Sequence, residues 1–149
     1  LCTLLISFNS FADEFSDAKD AYDRGDYSTA FTLVEKLAEQ GDADSQYNLG
    51  VMYQKGHGTL QDYKEAIKWY TIAANIGDSY AQYNLGLAYI HFKPQDYKQA
   101  IYWLSKSADQ GNMVAQHQMG IMYREGYGVL KDYVMAYMFF NIASANGHG

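Results

Sequence analysis

Apolar and small side chains recur at helical spacing in three stretches of the chain, and the stretches superimpose. Ser45, Leu49, Gly50, Met52 and Tyr53 fall on one face of a helix over 43–55. The matching positions are Ala81, Leu85, Gly86, Ala88 and Tyr89, then Ala115, Met119, Gly120, Met122 and Tyr123. A second apolar pattern follows each of these. It runs Ala66, Trp69, Tyr70, Ala73 and Ala74, then Ala100, Trp103, Leu104, Ser107 and Ala108, then Ala136, Phe139, Phe140, Ala143 and Ser144. Each copy therefore predicts a helix A and a helix B. Landmark glycines at Gly41, Gly77, Gly111 and Gly147 set the period at 36, 34 and 36 residues, in the range of stacked helical repeats.

The polar positions mark the helix ends. Asp62, Asp96 and Asp132 open the B helices as N-caps, because a carboxylate accepts the unpaired amide hydrogens of a first turn. Asp62–Glu65 and Asp96–Gln99 have capping-box spacing as well. Each landmark glycine is expected to end its B helix in a left-handed conformation, and Asp42, Asp78 or Asn112 then caps the next helix A. Gly50, Gly86 and Gly120 lie inside A helices, where glycine costs about 1 kcal/mol relative to alanine. Close approach of helix B explains their recurrence. The A–B connections are Gly56-His57-Gly58 and Gly126-Tyr127-Gly128 in the outer copies. The middle one is two residues shorter, lacks glycine and carries Pro94, which is expected to end its helix A. Asp26-Tyr27 and Ala30 precede Asp62-Tyr63 and Ala66 by 36 residues, so a degenerate unit stands ahead of the three.

The fold class that follows is all-α, an α/α superhelical solenoid of antiparallel helix pairs. Residues 13–42 form a degenerate N-terminal repeat or cap, and 43–149 hold three repeats, 43–78, 79–112 and 113–149. Residues 1–12 read as the remnant of an export signal. Leu1-Cys2-Thr3-Leu4-Leu5-Ile6 is apolar, and Ser10-Phe11-Ala12 offers small residues before the acidic Asp13-Glu14. Export to a bacterial periplasm or the medium is the expected localisation. The apolar stretch is too short for a membrane span, and cleavage at Ala12 would remove the one cysteine, Cys2. At the other end, Gly149 follows a B helix with no evident polar cap, which predicts continuation of the natural chain or an end-to-end contact through the C-terminal repeat.

Charge narrows the partners. Residues 1–44 hold ten acids and three bases, and the remainder seven acids and eight bases, so the net charge of −6 resides in the first third. Nucleic acid needs a basic patch, which this distribution does not offer. The acidic end reads as a solvated outer face.

A repeat scaffold predicts a protein partner on helix A. Facing away from helix B, the aligned positions are Tyr47, Asn48, Val51 and Gln54, then Tyr83, Asn84, Leu87 and Ile90, then His117, Gln118, Ile121 and Arg124. Asn48, Asn84 and Gln118 would form a row of amides, each able to donate to and accept from a peptide backbone. The alternative is that the Asn and Tyr residues among them cap or brace adjacent helices. No catalytic constellation emerges. His57, His91, His117 and His148 lie in different copies without metal spacing, and His57, His91 and His148 read as solvated. There is no Gly-x-Ser-x-Gly elbow and no phosphate loop. No cofactor is expected.

The pattern resembles the Sel-one-like repeat family, a relative of the tetratricopeptide repeats. Leu49, Gly50, Tyr53, Gly56, Gly58, Asp62, Ala66, Trp69, Ala73, Ala74 and Gly77 carry the resemblance in the first copy. Ala115, Gly120, Tyr123, Gly126, Gly128, Val129, Asp132, Ala136, Ala143 and Gly147 carry it in the third. The resemblance implies an adaptor for protein–protein contacts, often in bacterial envelope or host-interaction settings. Its alternative is a cell-envelope hydrolase of β-lactamase-like or peptidoglycan-related activity. Family members associated with that chemistry carry a cysteine pair per repeat, which this chain lacks.

Overall fold

The computed structural model describes residues 2–92 and 94–147, with side chains from residue 12 on. Cys2, the rest of the apolar stretch up to residue 11, and His148 therefore lie outside the described side chains. Among the described residues there are eight helices and no strand. They are α1 (Cys2–Asp23), α2 (Tyr27–Glu39), α3 (Ala43–Lys55), α4 (Tyr63–Ile76), α5 (Ser79–His91), α6 (Tyr97–Asp109), α7 (Met113–Glu125) and α8 (Tyr133–Asn146). The backbone of α1 is helical straight through Ala12. The chain divides into two compact units, Leu1–Ala73 and Ala74–Gly149.

In the first unit, Ala18, Ala21, Ala30, Val34 and Ala38 of the α1/α2 pair form one core with Leu49 and Met52 of α3. Alanine dominates because the helices approach closely. Lys36 of α2 bridges Glu14 of α1 at 2.8 Å across their exposed side. In the second unit, Ala100, Leu104 and Ala108 of α6 pack with Ala115, Met119 and Met122 of α7, and Ile90 of α5 completes the cluster.

Local chemistry sets the helix ends. Asp42, Asp78 and Asn112 each accept the amide three residues on, and Asp62, Asp96 and Asp132 each accept two first-turn amides. The reciprocal half of the capping box does not form at Asp62 or Asp96. Their own amides donate instead to Tyr53 O and Tyr89 O, both at 2.9 Å, and Asp132 does the same to Tyr123 O. Glu65 is left to pair with Lys68. The shortened middle connection keeps this closing bond. Its helix ends at His91 with Phe92 already extended, two residues ahead of Pro94.

Gly41, Gly77 and Gly111 take the expected left-handed conformation; Gly147 does not, with φ −88. The mid-helix glycines have the expected cause. A Cβ on Gly50 would lie 2.6 Å from the Tyr70 ring, on Gly86 2.7 Å from Leu104, and on Gly120 2.5 Å from Phe140.

Candidate functional site

The predicted helix-A positions separate into two stripes. Tyr47, Gly50 and Gln54 are spaced three and four apart, which puts them on one line along α3. That line meets α4. The Tyr47 and Tyr70 rings lie 6.0 Å apart, Gly50 passes beneath the Tyr70 ring, and Tyr70 Oη donates to Gln54 Oε1 at 2.5 Å. Tyr70 is 2% exposed. Tyr47 and Gln54 thus brace helix B rather than face away from it.

The second unit repeats the arrangement. His117, Gly120 and Arg124 flank Phe140 of α8, with His117 at 5.0 Å between ring centroids and the Arg124 guanidinium 5.9 Å from the ring centroid. Tyr83, Gly86 and Ile90 share the equivalent line on α5, and Gly86 meets Leu104. Ile90 is only 8% exposed and belongs to the core, so it offers a partner nothing. The physical reason is the same in all three copies. The line that holds the close-approach glycine necessarily faces helix B.

The neighbouring positions Asn48/Val51, Asn84/Leu87 and Gln118/Ile121 lie off that line and are half-buried. Leu87 packs against the second core cluster. Two cavities open beside this stripe. In the first unit a cavity of about 350 Å³ lies between α1 and α3, lined by Phe15, Ala18, Lys19, Tyr22, Val34, Asn48, Val51 and Met52. Its walls are mainly apolar, and Lys19 at its edge is paired with Asp23 at 2.8 Å. In the second unit a cavity of about 340 Å³ is bounded by Tyr83, Met113, Val114, His117, Gln118, Phe140, Ala143 and Ser144. Burial raises the Tyr22 and Tyr83 phenols above the usual tyrosine range, with Tyr27 and Asp23 adding to the effect at Tyr22. Both walls therefore present neutral hydroxyls.

Two features escaped the sequence reading. Gln46, Gln82 and Gln116 are buried, and each donates Nε2 to the carbonyl of Ala38, Ala74 or Ala108 at the end of the preceding helix. Gln110 and Asn146 in turn donate to Gln82 and Gln116 at 2.8 and 2.9 Å. Their recurrence at 36 and 34 residues was a signal available in the chain. The second is a ring cluster. His57 is not solvated but stacks on Tyr27 at 4.1 Å, with Nδ1 2.9 Å from Tyr22 Oη, a hydrogen bond in either tautomer. Tyr127 stacks likewise on Tyr97 at 5.1 Å. His91 is exposed at the end of α5.

Among the described residues no group of three His, Cys, Asp or Glu could hold a metal ion, and no helix is long and apolar enough to cross a membrane.

Comparison with known proteins gives this arrangement its context. A crystal structure of a Sel1 repeat protein from Oxalobacter formigenes superimposes with a TM-score of 0.85 at 32% identity, covering 92% of this chain and 58% of that one. A protective antigen of uropathogenic Escherichia coli displaying an SLR fold gives 0.87 at 34% identity, covering 97% of this chain and 33% of that one. Among curated sequences, DAP3-binding cell death enhancer 1 of Mus musculus is 42% identical over 43 residues, 29% of this chain and 8% of that protein. The putative sel1-like repeat-containing protein L18 of Acanthamoeba polyphaga mimivirus is 36% identical over 63 residues, 37% of this chain and 11% of that protein. The chain thus spans a small part of the curated relatives it matches. Proteins of this fold typically mediate protein–protein interaction and are generally non-catalytic scaffolds. The Sel1 repeat profile matches residues 20–42, 43–78, 79–112 and 114–148, and this chain, with its all-α helix-pair architecture, belongs to the Sel1 repeat family.

Proposed function

We propose that this protein is a non-catalytic, exported binding module that holds a protein segment against its A helices. The observation that carries the reading is the pair of cavities, one in each unit. Each includes an amide from the predicted row, Asn48 in one and Gln118 in the other, beside apolar and aromatic walls. A peptide seated there meets a donor and acceptor for its backbone and an apolar recess for a side chain. Val51 and Ile121 extend the apolar strip beside the amides, and Tyr83 and His117 of the glycine line also border the second cavity, whereas Ile90 is excluded because it is buried in the core.

The test is a comparison of immobilised wild-type protein with Asn48→Ala/Gln118→Ala in an envelope extract, read by mass spectrometry. A protein retained by the wild type and lost from the double variant, at unchanged melting temperature, is the expected result. Identical retained sets would reject the site. Export rests on the N-terminal pattern. It predicts that cell fractionation recovers a secreted or periplasmic species beginning at Asp13, and a cytoplasmic species retaining residues 1–12 would reject it.

A further inference from the structure

The outer face of α8 departs from its counterparts in a way that stacking does not explain. In register, Lys64 and Lys98 become Val134, Lys68 and Tyr102 become Met138, and Asn75 and Asp109 become Ala145. Helix α8 contains no charged side chain at all. Val134 is 78% exposed and Met138 44%. A following repeat would not cover them. Lys98, Tyr102 and Asp109 stay exposed on α6 although α7 and α8 follow it. The positions that the next repeat does engage in α6 are different ones, Tyr97 through its stack on Tyr127 and Ala108 within the core.

We infer that this face of α8 pairs with the same face of a second copy of the chain, two α8 helices lying antiparallel about a twofold axis. Val134, Met138, Asn141 and Ala145 are spaced four, three and four apart, the seam of a two-helix pairing. An antiparallel arrangement sets Val134 against the partner's Ala145 and Met138 against the partner's Asn141, a large residue facing a smaller one each time. Because α8 is uncharged, self-pairing opposes no like charges, and the helix dipoles run in opposite directions. The acidic end of the molecule is a poor alternative occupant. Asp13, Asp17 and Asp20 on α1 are exposed, and burying them on an apolar seam would strand charge. Two 14-residue helices bury less than the ~1,200 Å² of a standard interface. The pairing is therefore weak, with a dissociation constant of roughly 10–100 μM.

Sedimentation equilibrium of the full 149-residue chain from about 5 to about 500 μM tests this. The weight-average mass should climb from 16.9 kDa toward twice that value. Val134→Lys/Met138→Lys restores the character of the counterpart positions and should weaken association by about a hundredfold or more, with helicity and melting unchanged. In a Cys2→Ser background, a short bismaleimide should link Asn141→Cys into dimers and leave Ser105→Cys, the same position on α6, unlinked. A wild-type chain that stays monomeric overturns the inference. So does a lysine variant that associates like the wild type, or Asn141→Cys that links no better than Ser105→Cys.

Discussion

The two units solve the docking of a Gly-x-Gly connection with the same backbone and different chemistry. In the first, Gly56-His57-Gly58 lies on Tyr27, and Tyr22 adds a hydrogen bond to the His57 ring. In the second, Gly126-Tyr127-Gly128 lies on Tyr97 by stacking alone. The residue in register with Tyr22 there is Ile90, fixed by the equivalent closing bonds from Asp26 to Ala21 and from Asp96 to Tyr89. Ile90 sits in the core against which Tyr97 packs. A polar pair has thus been exchanged for an apolar one while the glycines stay put. The glycines answer to backbone geometry, and the ring between them is free to vary.

That contrast can be broken at the glycines first. Gly58 and Gly128 have φ of +76 and +72, and an added Cβ would lie 2.1 Å from Tyr27 O and 2.7 Å from Tyr97 O. Neither obstacle is a flexible side-chain tip. Gly58→Ala should cost about 4 kcal/mol and Gly128→Ala about 3 kcal/mol, measured by native-state hydrogen exchange so that each unit is read separately. Equal or reversed costs would mean that the two loops are not docked as described.

The next test moves to the helix interiors. Gly50→Ala pushes on Tyr70, which is buried and hydrogen-bonded to Gln54, so the ring cannot swing away. Gly120→Ala pushes on Phe140, which borders an open cavity and can turn into it. With alanine's helix propensity offsetting about 1 kcal/mol in both, a net loss of about 2 kcal/mol is expected at Gly50 and under about 1 kcal/mol at Gly120. Thermal melts of the two variants rank them.

The smallest effect sharpens the comparison at its polar side. Tyr22→Phe keeps the ring and removes the hydrogen bond to His57, which should destabilise the first connection by about 1 kcal/mol. Exchange rates of amides in the second unit should not change. The Tyr22 phenol is raised by burial, so the folded state resists its ionisation. Its contribution is complete below the ordinary tyrosine range, near pH 10, and is lost as pH rises through the higher folded value. The wild type should lose stability faster than Tyr22→Phe above about pH 10, and parallel urea titrations check this.

Most helix ends were legible in the chain because caps and turn glycines act within four residues of themselves. The Asp and Asn caps at 42, 78 and 112 fall at the expected positions, and so do those at 62, 96 and 132. The capping boxes were not legible, since a long-range acceptor, the tyrosine carbonyl ending the previous helix, outcompetes the side chain three residues on. The candidate site was half legible. The glycines already pointed to helix B, and the positions three before and four after each of them share that line; placing those positions on the opposite face was the error, as the contacts of Tyr70 and Phe140 show. The buried glutamines were missed for a different reason. Polar character suggests a surface, and burial is rewarded here by the carbonyls of Ala38, Ala74 and Ala108, which accept the glutamine amide in addition to the backbone amide of Gly41, Gly77 or Gly111.

One feature reaches beyond this chain. The bond from the B-helix aspartate amide to the tyrosine carbonyl closes connections of different length at the same 2.9 Å. The glutamine before the aspartate adds a second clasp in two of them, Gln61 to Gln54 O and Gln95 to Ile90 O. Residues between those anchors are not needed to join the two helices they connect, and where they dock, as His57 and Tyr127 do, they bind the preceding helices instead. Lengthening such a loop by two residues changes its closure entropy by only about 0.2 kcal/mol. The stretch between the docked Gly-x-Gly segment and the aspartate is therefore where such a connection accepts insertions at little cost, and a new recognition loop grafted there would leave the helix pair it joins closed by the same bond.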